Sequence, residues 1–398
     1  VSHDFAEALL SGLQHDITAK YGKWSRRYLW DRNYSETRKP EMPSAIIETM
    51  SHQNFGDMRY GLDPNFRFTM ARSLYKTILR YVSKGHERPF VVQPLPVNNL
   101  RVERTDNQML RLTWLPVKDE QEPTAVPTAY NIYISENGGG FDNGRIVQGT
   151  SFVFEARRGV VYKFRVTAVN RGGESFPSET LAAYLSPDAD AKDILVVDGF
   201  KRLSGPAIVD DNTSLGFDLD ADMGVTLGLA AGWNGRQQCF NRSRGGSEGP
   251  NALGYSGDEL AGTFVMGNQQ NASVCHVENI ARSGSYNVLS SSLEAFENDF
   301  VKPSHYSVID MAFGMQKDDG HSLVHYKTFS STLQKQVMAF IRGGGRMFVS
   351  GAYIGSDMQR GDERDFLSGV FKTSYGGLDS NQTNNTVNGL GISFDLIR

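Results

Sequence analysis

Glu48 closes the short apolar run Ser44-Ala45-Ile46-Ile47, and His52 and Asn54 follow within six residues. A carboxylate at the carboxyl end of a buried strand is placed for proton transfer, because its backbone sits in a rigid layer while its side chain meets whatever lies beyond the strand. His52 is the one imidazole near it in sequence. It suits proton transfer or substrate orientation, and equally the role of an ordinary polar residue after a strand. Asn54 ends the same polar run and is a candidate substrate contact beside His52. Ser350 ends Met347-Phe348-Val349-Ser350, but no G-x-S-x-G elbow surrounds it, so it reads as a structural hydroxyl. Cys275-His276 has the composition of a thiol and its base, although neighbours on an extended segment project to opposite faces. His321 and His325 stand four apart around Asp318-Asp319-Gly320, in what reads as a loop. Asp218-x-Asp220-x-Asp222-Met223-Gly224 has the look of a calcium loop, yet its glycine is one place late and its twelfth position is Leu229, not a bidentate Glu. No zinc ligand is assigned within the chain, since His3 and His15 have no partners at ligand spacing.

These side chains need elements to hold them. Phe5, Leu9, Leu13 and Ile17 recur at helical spacing up to Gly22, which predicts a first helix lying on a sheet. Ser44 to Thr49 reads as a strand buried on both faces, and one strand cannot satisfy its own backbone groups. Residues 1–88 therefore read as the carboxyl-terminal portion of a larger α/β domain. Asp63-Pro64 opens a second helix whose buried stripe is expected to be Ala71, Leu74, Ile78 and Val82. Seven basic residues between Lys20 and Lys39 alternate with Trp24, Tyr28, Trp30 and Tyr34, a pattern compatible with a glycan or nucleic-acid patch but read here as a helix edge and loop packed on the rest of the domain. Pro89, Pro94 and Pro96 stiffen a linker. Residues 97–186 then alternate in short strands separated by Asn137-Gly138-Gly139-Gly140 and Arg171-Gly172-Gly173, the spacing of a β-sandwich. After the polar stretch Ser186 to Lys192, residues 192–398 change to α/β: strands at Ile194 to Phe200, Tyr286 to Ser290, Tyr306 to Ala312 and Arg346 to Ser350, with helices at Leu293 to Val301 and Ser331 to Ile341. A doubly wound, mostly parallel sheet is expected.

At 398 residues the chain predicts two to three domains. A net charge of −4 gives no electrostatic case for nucleic acid or an anionic membrane face. Hydrophobic residues make up only 39% and glycines number 41, but 11% aromatic residues supply large core side chains, so the balance favours a loop-rich surface protein over disorder. Cys239 and Cys275 are too few for a disulfide framework, and spacing alone does not decide whether they pair. No apolar run approaches a membrane span, so no transmembrane segment is expected.

Three stretches resemble known families. Arg38 to Tyr81, with P-E-M-P-S-A-I-I-E and S-H-Q-N-F-G-D-M-R-Y-G-L-D-P-N-F-R-F, resembles the last part of zinc-dependent N-acetylmuramoyl-L-alanine amidases. The resemblance implies that Glu48 is the catalytic acid working beside a zinc ion, with His52 and Asn54 at the substrate. It also implies that the two His and one Glu that hold the metal precede Val1. L-R-L-T-W-L-P, Y-N-I-Y-I-S and G-V-V-Y-K-F-R-V-T-A-V-N resemble a fibronectin type III module, with Trp114 as the buried core indole and Tyr162 as the aromatic of a tyrosine corner. G-G-G-R-M-F-V-S-G-A-Y-I-G-S-D resembles the flavodoxin/amidotransferase-like α/β class, in which this turn bears a nucleophilic Cys. Ser350 stands where that thiol would, so glutaminase activity is excluded. The three-part order, with I-L-V-V-D-G-F-K-R-L-S-G-P and Y-K-T-F-S-S-T-L-Q, resembles large secreted bacterial proteins labelled xanthan lyases or amidases. It implies a secreted, periplasmic or cell-surface hydrolase of peptidoglycan or another polysaccharide, inactive without its upstream zinc ligands. The rival readings are a noncatalytic polysaccharide-binding surface protein and a polysaccharide lyase.

Overall fold

The computed structural model describes residues 1–201, 207–218, 272–318, 324–377, 386–389 and 392–395. The amino-terminal part is helical: α1 (Ser2–Tyr21), α2 (Ser35–Arg38), α3 (Phe55–Leu62) and α4 (Pro64–Gly85). Gly22 ends α1 at φ 87°, a left-handed conformation open to glycine. Asp63 caps α4 by accepting the Asn65 and Phe66 amides, with Pro64 at its first position. Gly12 lets α1 and α4 touch, because a Cβ there would collide with the Thr77 side chain. At the same contact Lys76 Nζ lies 3.0 Å from Asp16 Oδ2, both residues being buried.

Three expectations for this part fail, the first being that α1 lies on a sheet: it packs on α4. The buried face of α4 consists of Phe66, Thr69, Ser73, Lys76 and Thr77, whereas Ile78 and Val82 are 43% and 47% exposed. α4 meets α1 through Phe66 and Leu74, which pack with Leu13 and Ile17, and through Thr77 and Lys76, which face Gly12 and Asp16. Ser44 to Thr49 forms no strand, because no described strand lies beside it to complete its backbone hydrogen bonds, and Ile46 and Ile47 are exposed.

The sandwich follows: β1 (Asn98–Arg104), β2 (Met109–Leu115), β3 (Ala129–Glu136), β4 (Arg145–Val147), β5 (Ser151–Glu155), β6 (Val161–Asn170), β7 (Gly173–Glu174) and β8 (Leu181–Tyr184). Alternation places Leu110, Leu112, Trp114, Ile132, Phe164 and Val166 inside, all fully buried. Tyr162 is buried as well, and its hydroxyl accepts the Arg157 backbone N–H at 3.1 Å. The helical part is tied to this sandwich by Arg72, which donates to Asp119 Oδ2 (2.7 Å) and to the Gln93 carbonyl (2.9 Å).

The remainder contains β9 (Asp193–Asp198), the hairpin β10 (Ala207–Asp210) and β11 (Leu215–Asp218), α5 (Ala272–Ala281), β12 (Asn287–Ser292), α6 (Leu293–Glu297), β13 (Val308–Ala312), α7 (Ser331–Arg342), β14 (Arg346–Ser350), α8 (Ile354–Asp357), α9 (Gly361–Phe366) and a last hairpin, β15 (Thr386–Gly389) with β16 (Ile392–Asp395). β12, β9, β13 and β14 form a parallel sheet in that order. Val274, Val277 and Ala281 of α5 pack on one face with Val196 and Val288. Leu333, Val337 and Phe340 of α7 join Leu195, Val197, Ile309 and Met311 on the other. β12 also pairs antiparallel with β8, through Val288 and Tyr184, and with β1, through Arg101 and Ser291. The sandwich and the parallel strands therefore belong to one continuous sheet across the polar stretch at 186–192.

Candidate functional site

The carboxyl ends of β9, β13 and β14 carry a polar group that α5 completes. In the order β12, β9, β13, β14 the chain winds outward in both directions from the β9/β13 pair, the kind of switch point beyond whose strand ends ligands of α/β sheets collect. Ala312 is in register with Asp198 on one side and Ser350 on the other, so all three point to the α5 face. Asp310, two residues back along β13, shares that face. The strand ends lie close together. A Cβ on Gly199 would sit 2.5 Å from the Phe313 ring, and the Phe313 N–H donates to the Ser350 carbonyl at 2.8 Å.

Ser273 and His276 are three apart on α5 and so project from one side of the helix. His276 Nδ1 lies 2.7 Å from Asp310 Oδ2, and its Nε2 lies 3.3 Å from Ser350 Oγ. A carboxylate only accepts, so Nδ1 carries the proton and Nε2 of the neutral ring is free to accept the Ser350 hydroxyl proton. Ser273 Oγ donates to Asp198 Oδ2 at 2.7 Å, and the Phe200 N–H donates to the other Asp198 oxygen. Asp310 is 5% exposed, and its Oδ1 has no hydrogen-bond partner. Buried polar atoms are normally paired, so this one marks a carboxylate retained against a desolvation penalty.

The electrostatics follow from burial and these bonds. The hydrogen bond to Asp310 raises the His276 pKa above its ordinary value, against the opposing effect of burial, with the Asp310 and Asp198 charges adding to the rise. Burial pushes the Asp198 carboxyl up to about 7, although the Ser273 hydroxyl and Phe200 amide hold it down in part. The arrangement is a hydroxyl, a base and a base-orienting carboxylate in sequence, which is the requirement for activating a weak oxygen nucleophile.

The sequence reasoning found these residues only in part. The stretch containing Cys275-His276 is helical, not extended; Cys275 is exposed with no disulfide, while His276 turns in toward Asp310. Ser350, read from the sequence as a structural hydroxyl, lies within hydrogen-bond distance of that imidazole. Asp310 was missed, and its signal was a lone acid inside the apolar strand Val308-Ile309-Asp310-Met311-Ala312.

Glu48, His52 and Asn54 stand in the helical part, make no hydrogen bond or ion pair with this group, and are all exposed. Asn54 is the cap of α3, accepting the Asp57 N–H at 3.0 Å, which explains its place after a turn. His325 is held by Asp318 at 2.9 Å, whereas His321, Cys239 and the Asp220 to Leu229 part of the calcium-like run lie outside the described residues. Among the described residues no three His, Cys, Asp or Glu side chains are grouped to hold a metal. No helix among them is long and apolar enough to cross a membrane.

Comparison with known proteins agrees on the sandwich. The family model of the fibronectin type III domain matches residues 95–184. Similar solved structures include the twitchin kinase region from C. elegans (26% identity, 23% of this chain and 17% of that chain, TM-score 0.21). The fibronectin type III domain of human fibronectin type III domain containing protein 3 is another (26% identity, 25% of this chain and 91% of that chain, TM-score 0.21). Titin domains A168–A170 are a third (24% identity, 22% and 30%, TM-score 0.20). No curated protein matches the chain.

Proposed function

We propose that this chain is a hydrolase that cleaves acyl esters by covalent catalysis at Ser350, a reading carried by the Asp310–His276–Ser350 relay at the strand ends. The Ser350 oxygen attacks the acyl carbon as its proton passes to His276 Nε2. The alcohol then leaves, taking that proton, and the acyl group remains on Ser350. A water molecule gives a proton to the same nitrogen and attacks the acyl carbon, releasing the acid and restoring the serine. Asp310 holds the ring in the required tautomer and stabilises the imidazolium that forms at each transfer.

This reading keeps the hydrolase class expected from the sequence and moves its chemistry from Glu48 to the last part of the chain. It also takes that part as a member of the flavodoxin-like α/β class, for which the strand order is the support. A second reading, a polysaccharide-binding surface protein, draws on Tyr28 and Trp30. They are 67% and 58% exposed, with rings 5.0 Å apart and Arg32 4.6 Å over the indole.

A fluorophosphonate reporter added to the full chain, with p-nitrophenyl acetate turnover measured in parallel, tests the first reading. The label is expected on the peptide containing Ser350 and is lost in Ser350→Ala, with turnover falling by about 10³-fold or more. Equal labelling and turnover in Ser350→Ala would refute it.

A further inference from the structure

β14 is the edge of the parallel sheet among the described strands, and α5 packs chiefly over β8, β12, β9 and β13, reaching β14 on the same face through His276. Alternation then sets Arg346, Phe348 and Ser350 in one row on that open face. The row spans about 13 Å from the first Cα to the last, at roughly 3.3 Å per residue. Phe348 is 58% exposed, which is unusual for a large apolar side chain in the middle of a sheet strand, and its ring centroid is 6.2 Å from that of His276. Arg346 is exposed and has no ion-pair partner among the described residues. A cation, an aromatic face and a nucleophile thus follow one another along a straight strand.

We infer that the Ser350 site takes O-acyl esters of acidic glycans, laid along β14 with a sugar ring on Phe348 and a carboxylate on Arg346. This inference rests on the hydrolase reading of Ser350 and adds the substrate class. An aromatic face offers a pyranose ring broad contact without demanding a deep pocket. The guanidinium supplies two parallel donors to a carboxylate, with geometric selectivity that a neutral glycan cannot use. The row is longer than a single small ester needs, and its linearity suits a chain of rings.

The test compares acetylated polygalacturonate with acetylated xylan and with phenyl acetate, using the full chain and following acetate release. Acidic polymer is expected to be the best substrate by kcat/KM, with the preference shrinking as salt is raised. Arg346→Gln is expected to lower the acidic-to-neutral kcat/KM ratio by about tenfold, through KM. Phe348→Ala is expected to lower kcat/KM for both polymers relative to phenyl acetate. If fluorophosphonate labels Ser350 but the neutral polymer or phenyl acetate is preferred, or Arg346→Gln leaves the ratio unchanged, the inference is overturned and the hydrolase reading survives. If Ser350 is not labelled, both fall.

Discussion

Asp198 offers a perturbation whose size follows from its surroundings. It is 5% exposed at the end of β9, and burial raises its carboxyl from 3.8 to about 7. The sign is the reverse of that for a salt-bridged carboxylate. Between pH 4 and 7 the unfolded chain has released this proton while the folded chain still holds it, so stability falls as pH rises through that window and levels off above it. At about 1.4 kcal/mol per pKa unit, the displacement is worth about 4 kcal/mol in full, of which about 3 kcal/mol is lost between pH 5 and pH 8.5. Asp198→Asn keeps the shape and an acceptor for Ser273 or the Phe200 amide but cannot ionise. Urea unfolding of wild type and variant at both pH values, followed by tryptophan fluorescence and circular dichroism, gives a double difference in which titrating groups not coupled to Asp198 cancel. Glu179, pushed up by burial to about 8, takes a small part of its rise from the Asp198 charge, so its response is carried in the same difference. The expected result is that wild type loses about 3 kcal/mol more than Asp198→Asn across the interval. A double difference below about 0.5 kcal/mol would show that the buried carboxyl is not as isolated from water as the geometry states.

Asp310→Asn is expected to reduce ester turnover by about 10²- to 10⁴-fold without loss of folding, because the imidazole loses the acceptor that fixes its tautomer. The base must be neutral, so wild-type kcat/KM should rise with pH through the raised His276 pKa, and the variant's inflection should move to lower pH; a pH–rate profile with an unmoved inflection contradicts the contact. In the helical part, the bonds from Ser73, Lys76 and His15 outweigh burial and hold the Asp16 carboxyl below its ordinary value. Lys76→Met is expected to destabilise the α1–α4 contact by about 3 kcal/mol, and Asp16→Asn in the same chain to recover part of it, as read by thermal unfolding of the double cycle.

How far the chain could be read depended on whether the deciding contacts were local. The sandwich strands were legible because a period of two with one face buried leaves little freedom, and Trp114 and Tyr162 are buried as the fibronectin type III resemblance implied. The stripe on α4 was legible only in part: Leu74 packs with Leu13, Ile17 and Phe66, but Ile78 and Val82 are exposed because α1 meets α4 through Gly12 and Asp16, opposite Thr77 and Lys76. Ser44 to Thr49 had the composition of a strand without a partner to make it one. At the candidate site, His276 and Ser350 are 74 residues apart and Asp310 falls between them on a different strand. No local motif expresses that arrangement. The elbow whose absence argued against Ser350 is one way of presenting a serine, whereas the chemistry needs only a base within reach.

The place of the sandwich in this arrangement follows from β12. All six of its residues are buried, and two of its polar side chains bond to the chain on either side of the junction: Ser290 Oγ donates to the Ala182 carbonyl at 2.6 Å, while Asn287 accepts the Ser186 N–H and donates to the Ala191 carbonyl. Separating the chain at 186–192 would expose the edges of β8 and β12 together with these groups, which isolated sheet edges tolerate poorly. α5 is seated across that junction. Val274, Val277 and Ala281 rest on Ala182 and Tyr184 of the sandwich as well as on Val196 and Val288 of the parallel sheet. The helix that carries His276 is thus fixed partly by the last strand of the fibronectin type III domain. Its base can stay within hydrogen-bond reach of Ser350 only while that strand remains in place, so the domain serves the site as a wall and not as a tethered spacer.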